Sequence, residues 1–181
     1  MTVLESRYWG SFALCGFLCF ALQWYSRSGQ TGSLPANPRF KGFQRTYLVI
    51  FLLAMFSDWL QGPYVYELYV SYGFDQQQIA ELFVCGFGSS MIFGTFIGGL
   101  ADKLGRKNMC ILYCLCYIVA CFTKLVPQYW VLMIGRFLSG IATSLLFSAF
   151  ESWMVCEHLK QGFDSALMGE TFSYATFGNG L

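Results

Sequence analysis

A few polar side chains interrupt long apolar runs, and they are the residues whose type and position could do chemistry. Asp58 lies about twelve residues into one run, roughly 18 Å along a helix axis. Gln61 follows three residues later on the same helical face, and Pro63 leaves one backbone carbonyl without its helical donor. Arg136 sits about six residues, roughly 9 Å, inside another run. Its planar guanidinium fork suits an oxyanion or a proton-coupling role; alternatively it pairs permanently with Asp58 or another acid and only fastens the helices. Thr143 and Ser144 follow along a similar face as candidate hydroxyl donors. Glu151, fifteen residues after Arg136, projects within about 60° of that face and is either a proton site or a partner for basic groups at the membrane surface. Ionisable groups at such depth cost about 3 kcal/mol or more, so each is a functional candidate. Asp58 equally reads as a polar tie between helices.

The elements that must hold these residues are membrane spans. The chain has 181 residues, of which 56% are hydrophobic, 19% aromatic and only 12% charged, with a net charge of +1. Ordinary soluble domains carry roughly 25% charged residues, so a water-soluble globule and a disordered chain are both excluded. The near-neutral balance also excludes nucleic acid as a partner, leaving the lipid bilayer as the surrounding phase. Apolar stretches of spanning length occupy 8–25, 46–69, 79–100, 109–126 and 129–155, and a sixth begins near 166. The first reads as a retained anchor, because Trp24 and Tyr25 suit an interface and no small-residue cleavage site follows closely. Residues 26–44, with Gly29, Gly32, Pro35 and Pro38, read as a polar loop.

Lysine and arginine set the orientation. Arg27, Arg39, Lys41, Arg45, Lys103, Arg106, Lys107 and Lys160 fall in one set of alternate loops, and only Arg7 and Lys124 in the other. The richer set is expected in the cytoplasm, which places the N-terminus outside. Lys124, Glu67 and Glu81, near the outer ends, are expected to reach water, and His158 reads as a plain surface residue beside Glu157 and Lys160. The eight cysteines fall almost entirely within apolar runs and behave there as small hydrophobes; their spacing predicts no metal site, and no cofactor is expected. No nucleophile, phosphate-loop or zinc-hydrolase motif is present, so nothing points to an enzyme.

Two rows of small residues recur at intervals of four: Gly86, Ser90, Gly94 and Gly98 in the third span, and Gly140, Ser144, Ser148 and Ser152 in the fifth. Lipid supplies no hydrophobic drive between helices, so such rows predict close backbone packing and a seam along which helices rock.

Between the third and fourth spans the chain reads Gly98-Gly99-Leu100-Ala101-Asp102-Lys103-Leu104-Gly105-Arg106-Lys107. This resembles the loop signature G-x-x-x-D-[RK]-x-G-R-[RK] of the major facilitator superfamily, with Gly98, Asp102, Lys103, Gly105, Arg106 and Lys107 at the defining positions. Gly105 allows a tight turn, and Asp102 and Arg106 can form charge-assisted hydrogen bonds at the helix ends. In that family the motif latches one conformational state. Gly135-Arg136-Phe137-Leu138-Ser139-Gly140 resembles the family's fourth-helix R-x-x-x-G element. Segments 57–66 and 145–153 look like the molybdate-anion transporter branch, which takes in the plant and algal type-2 molybdate transporters.

The resemblance implies an all-α polytopic transmembrane helix bundle: the N-terminal half of a major facilitator fold with an extra N-terminal helix. Residues 1–25 form the anchor, 26–45 a cytoplasmic loop and 46–181 the N-terminal helical domain. It implies plasma-membrane uptake of molybdate by alternating access, with protons as candidate coupling ions. The missing C-terminal half is expected in the full-length protein, because the chain stops within an apolar helix. The alternative is a truncated, non-transporting membrane protein or gene-model fragment that acts as an assembly or regulatory partner.

Overall fold

The computed structural model describes residues 3–29 and 37–180. Six helices account for nearly all of them: α1 (Val3–Gly29), α2 (Pro38–Ser71), α3 (Gln76–Leu104), α4 (Arg106–Thr123), α5 (Tyr129–Lys160) and α6 (Ser165–Asn179). Four are long and apolar enough to cross a bilayer, over Pro38–Ser71, Gln76–Ala101, Arg106–Thr123 and Tyr129–Lys160. The chain is thus an all-α membrane helix bundle. It divides into two compact units, 1–41 and 42–181.

In the first unit, α1 carries its apolar stretch over Trp9–Leu22, with Trp9, Phe12, Phe17 and Phe20 all exposed. A helix apolar on every side suits an acyl-chain environment. Helix α2 begins at Pro38, seven residues before the end of the loop expected over 26–44. Asn37 explains the early start: its Oδ1 accepts from the Arg39 N–H at 3.1 Å, and Pro38 takes the first helical position, where its missing N–H costs nothing. Within that expected loop, 30–36 lie outside the described residues.

In the second unit α5 is the central helix, packed on both α3 and α4. The two rows of small residues meet across the α3–α5 crossing. A Cβ on Gly140 would collide with Ser89 Oγ and the Gly86 carbonyl, so only glycine permits this approach. Further along, Ser144 Oγ donates to the Ser90 carbonyl at 2.6 Å, and a Cβ on Gly94 would stand 3.7 Å from Ser144 Oγ. Gly98, the last of the α3 row, has nothing within 4 Å of its Cβ direction.

Helix α2 is held differently, by long side chains. Tyr113 and Tyr117 of α4 donate to the carbonyls of Ala54 at 3.1 Å and Ser57 at 2.7 Å. Trp59 Nε1 donates to Asn179 Oδ1 of α6 at 3.1 Å. Two apolar clusters then brace the unit at separate levels. The larger joins Phe51 and Met55 of α2 to Ile97, Met109, Leu145, Leu146 and Phe150. The smaller joins Val65 and Tyr69 to Ile79, Leu82 and Leu132. Helix α2 residues 58–62 fall between them.

The connections are short and each has a local cause. Gly105 alone separates α3 from α4, at φ +85°, where any other residue is strained. Asp75 caps α3 in a reciprocal pair with Gln78, and Asp164 caps α6. Helix α4 stops at Thr123 rather than 126, because Pro127 disfavours helix in the residue before it.

His158 departs from expectation. It is fully buried rather than on the surface, because α5 continues to Lys160 and the turn into α6 folds over the ring. Its Nε2 lies 2.9 Å from the Asp164 carbonyl, which can only accept, so Nε2 carries the proton. Phe163 packs on the ring at a centroid distance of 5.5 Å.

Because the Gly140 contact leaves no room, Gly140→Ala is expected to cost about 1–3 kcal/mol by overpacking. Gly88→Ala, with nothing within 4 Å of the new Cβ, is expected to be neutral or slightly stabilising. Thermal unfolding of the two variants in detergent checks the contrast.

Candidate functional site

Between the two apolar clusters lies a cavity of about 260 Å³, far above the roughly 15 Å³ that one water needs. Helix α2 contributes Asp58 and Gln61, α3 contributes Phe83, Gly86 and Ser90, and α5 contributes Arg136, Ser139 and Thr143. Four residues singled out in the sequence, Asp58, Gln61, Arg136 and Thr143, therefore share one chamber. The helices explain why it is open here: α3 and α5 approach through small side chains, while α2 stands off on its tyrosine contacts.

Arg136 is held in a defined pose. Its Nε donates to the Leu82 carbonyl at 3.3 Å, and its Cζ lies 4.5 Å from the Phe83 ring centroid, a cation–π distance. Gly86 makes the space, since a Cβ there would stand 3.2 Å from the Cζ, Nε and Nη2 atoms of the guanidinium. Among the described residues no carboxylate pairs with Arg136 within 4 Å, so the permanent Asp58 pairing is absent. The terminal nitrogens keep hydrogen-bond donors for the cavity they line.

Gln61 is fixed by direction. Tyr117 OH donates to the Ser57 carbonyl, so it can only accept from Gln61, which presents Nε2 to it. Gln61 Oε1 is left buried with no hydrogen-bond partner.

The hydroxyls do not act as the sequence reading expected. Thr143 Oγ1 donates to the Ser139 carbonyl at 3.0 Å, the back-bond that a mid-helix threonine commonly makes. Ser144 is buried against α3 and donates to Ser90, so the contact of 3.1 Å between the two hydroxyls must run from Ser90 to Ser144. Both residues offer lone pairs rather than donors. Glu151 is exposed and lines none of the cavities described here, and Pro63 lines a separate groove with Trp59 and Gly178.

The sequence reading missed Lys124. Expected in water, its Nζ is instead buried without a hydrogen-bond partner just beyond the end of α4. Burial, foremost, holds its ammonium below the ordinary lysine range; Arg136 acts in the same sense, while Cys121 and Asp58 oppose it. The only hint in the sequence was isolation, since Arg7 alone shares its set of alternate loops.

Comparison with known proteins places this arrangement. The family described as "Sugar-transporters, 12 TM" matches residues 7–181. A relative from Takifugu rubripes named molybdate-anion transporter is 45% identical over 168 residues, covering 91% of this chain and 35% of its own length. Proteins of the same name from Danio rerio and Xenopus laevis are 45% and 41% identical, over 82% and 94% of this chain and 32% and 38% of theirs. The chain belongs to the molybdate-anion transporter branch of the major facilitator superfamily. It spans about a third of the length of these curated relatives. No solved structure matches it.

The superfamily's loop signature lies at the α3–α4 junction. Gly105 makes the turn, Asn108 Nδ2 donates back to the Leu104 carbonyl at 2.9 Å, and Arg106 is half-buried. Lys103 and Lys107 are exposed, and the Asp102 side chain lies outside the described residues.

Tyr117→Phe removes both the donor to Ser57 and the acceptor for Gln61. It is expected to lower stability by about 1–2 kcal/mol, read by thermal unfolding.

Proposed function

We propose that this segment is the N-terminal half of a transporter that takes up molybdate by alternating access, with the oxyanion held against Arg136. The observation that carries the reading is the guanidinium of Arg136, stacked on Phe83, unpaired by any described carboxylate and open to a cavity between three helices. A tetrahedral dianion needs cationic donors in a water-poor chamber, and arginine supplies them in a planar fork. The names of the relatives add the substrate.

In this reading residues 1–25 anchor the chain with the N-terminus outside, 26–45 face the cytoplasm, and 46–181 pack against a C-terminal half that closes the cavity. The host membrane is the plasma membrane. The α3–α5 seam permits rocking, and the loop at Gly98–Lys107 latches one state. Asp58, in the same chamber as Arg136, carries proton coupling; Glu151, exposed and remote, does not.

Uptake of labelled molybdate by the complete gene product in cells lacking their own system tests this. At equal surface abundance, Arg136→Gln is expected to lower uptake about ten- to a hundredfold, the equivalent of losing a hydrogen bond to a charged group. Asp58→Asn is expected to flatten the dependence of uptake on external pH, and Glu151→Gln to leave that dependence in place. Full uptake by Arg136→Gln would sink the proposal.

A further inference from the structure

A second cavity, of about 400 Å³, lies beside the central one at the outer end of α2 and α4. Gln61, Tyr64, Glu67 and Ser71 line it from α2, and Lys124 closes it from beyond α4. The backbone of Lys124 is pinned there, because Tyr72 OH donates to its carbonyl at 2.7 Å. Its Nζ is buried and reaches no hydrogen-bond acceptor. Glu67 lines the same cavity but is exposed, and no ion pair joins it to Lys124. An exposed carboxylate is screened by water and salt, whereas a buried ammonium is not. Gln61 and Val65 line both cavities, so the two side chains divide them, and Gln61 is the polar one.

Charge arithmetic gives the arrangement a purpose. With Asp58 ionised, Arg136 and Asp58 sum to zero, and a dianion entering that chamber meets no net attraction. Lys124 supplies the missing positive charge on the outer side. A buried ammonium without a partner is costly, and an oxyanion would satisfy it.

We infer that the Lys124 cavity is an outer oxyanion subsite, where a tetrahedral dianion is held before it passes Gln61 to reach Arg136. The inference rests on the oxyanion-transport reading above and adds a second cation to it. The low proton affinity of Lys124 agrees with this role. Its charge is lost at lower pH than an ordinary lysine's, so anion capture weakens as external pH rises. The titratable and charged groups around Lys124 are Asp58, Tyr64 and Glu67 of α2, Tyr72 just beyond it, Arg136 of α5 and Cys121 of α4.

The test is the concentration dependence of initial molybdate uptake by the complete gene product, with and without competing sulfate. Lys124→Gln is expected to raise KM about tenfold or more, with a smaller fall in maximal rate, and to weaken sulfate competition in parallel. Lys124→Arg is expected to restore most of the affinity and to remove its alkaline loss, because arginine stays charged. Lys124→Met, which keeps the apolar stem, stands in if the glutamine variant fails to reach the surface. An unchanged KM in Lys124→Gln, with uptake still lost in Arg136→Gln, would overturn the subsite and leave the transport reading standing. If the wild type moves no molybdate, that reading falls. Thermal stabilisation of the purified protein by molybdate or sulfate then decides the subsite: loss in Lys124→Gln supports it, and equal stabilisation overturns it.

Discussion

The structure depends on one close approach, Gly140 of α5 against Gly86–Ser90 of α3. In lipid nothing squeezes two apolar helices together, so association must come from backbone proximity and the few hydrogen bonds it permits. Gly140 provides the proximity, and the Ser90–Ser144 and Ser89–Phe137 bonds follow from it. With α3 and α5 fixed, Leu82 and Phe83 are presented to Arg136, and Gly86 leaves the gap the guanidinium fills. A methyl group at either glycine would disturb the charged side chain's setting, so the packing seam and the polar site are one construction.

The cavity is a consequence of unequal packing. Small residues bring α3 and α5 together, while tyrosines from α4 hold α2 by its carbonyls. Apolar clusters brace α2 above and below the residues around Asp58. Polar groups therefore occupy the level of α2 between the two clusters. Here the usual cost of burying Asp58, Gln61 and Arg136 is lowered by room for water or a solute.

Most of the bundle was legible because spanning helices require a long apolar run, and the small-residue rows named one closely packed helix pair, α3 with α5. Asp58, Gln61, Arg136 and Thr143 were legible as separate candidates, since polar residues at membrane depth face inward, but their sharing one chamber was not. The rest depended on local geometry that periodicity does not carry. Thr143 and Ser144 look like donors in sequence, but their protons go to carbonyls four residues back or on the neighbouring helix. His158 was misread because α5 runs five residues past Val155. Lys124 was misread because its burial depends on where α4 ends and on how the turn after α2 reaches it through Tyr72, a contact across 52 residues of sequence.

Charge placement on the proposed reading also separates affinity from release. A chamber holding two fixed positive charges would bind a dianion tightly and let it go slowly. Here one cation, Arg136, shares its chamber with Asp58, and the other, Lys124, sits in a separate cavity behind Gln61. Protonation of Asp58 unmasks Arg136, and ionisation of Asp58 masks it again. Attraction in the centre is thus set by Asp58, while attraction at the outer end is set by Lys124's own protonation. Differential interaction of this kind is what a ligand needs to bias a conformational equilibrium, since equal affinity for both states would shift nothing. On that reading the α3–α5 seam and the Gly105 turn supply the movable parts, and the carboxylate in the chamber supplies the bias.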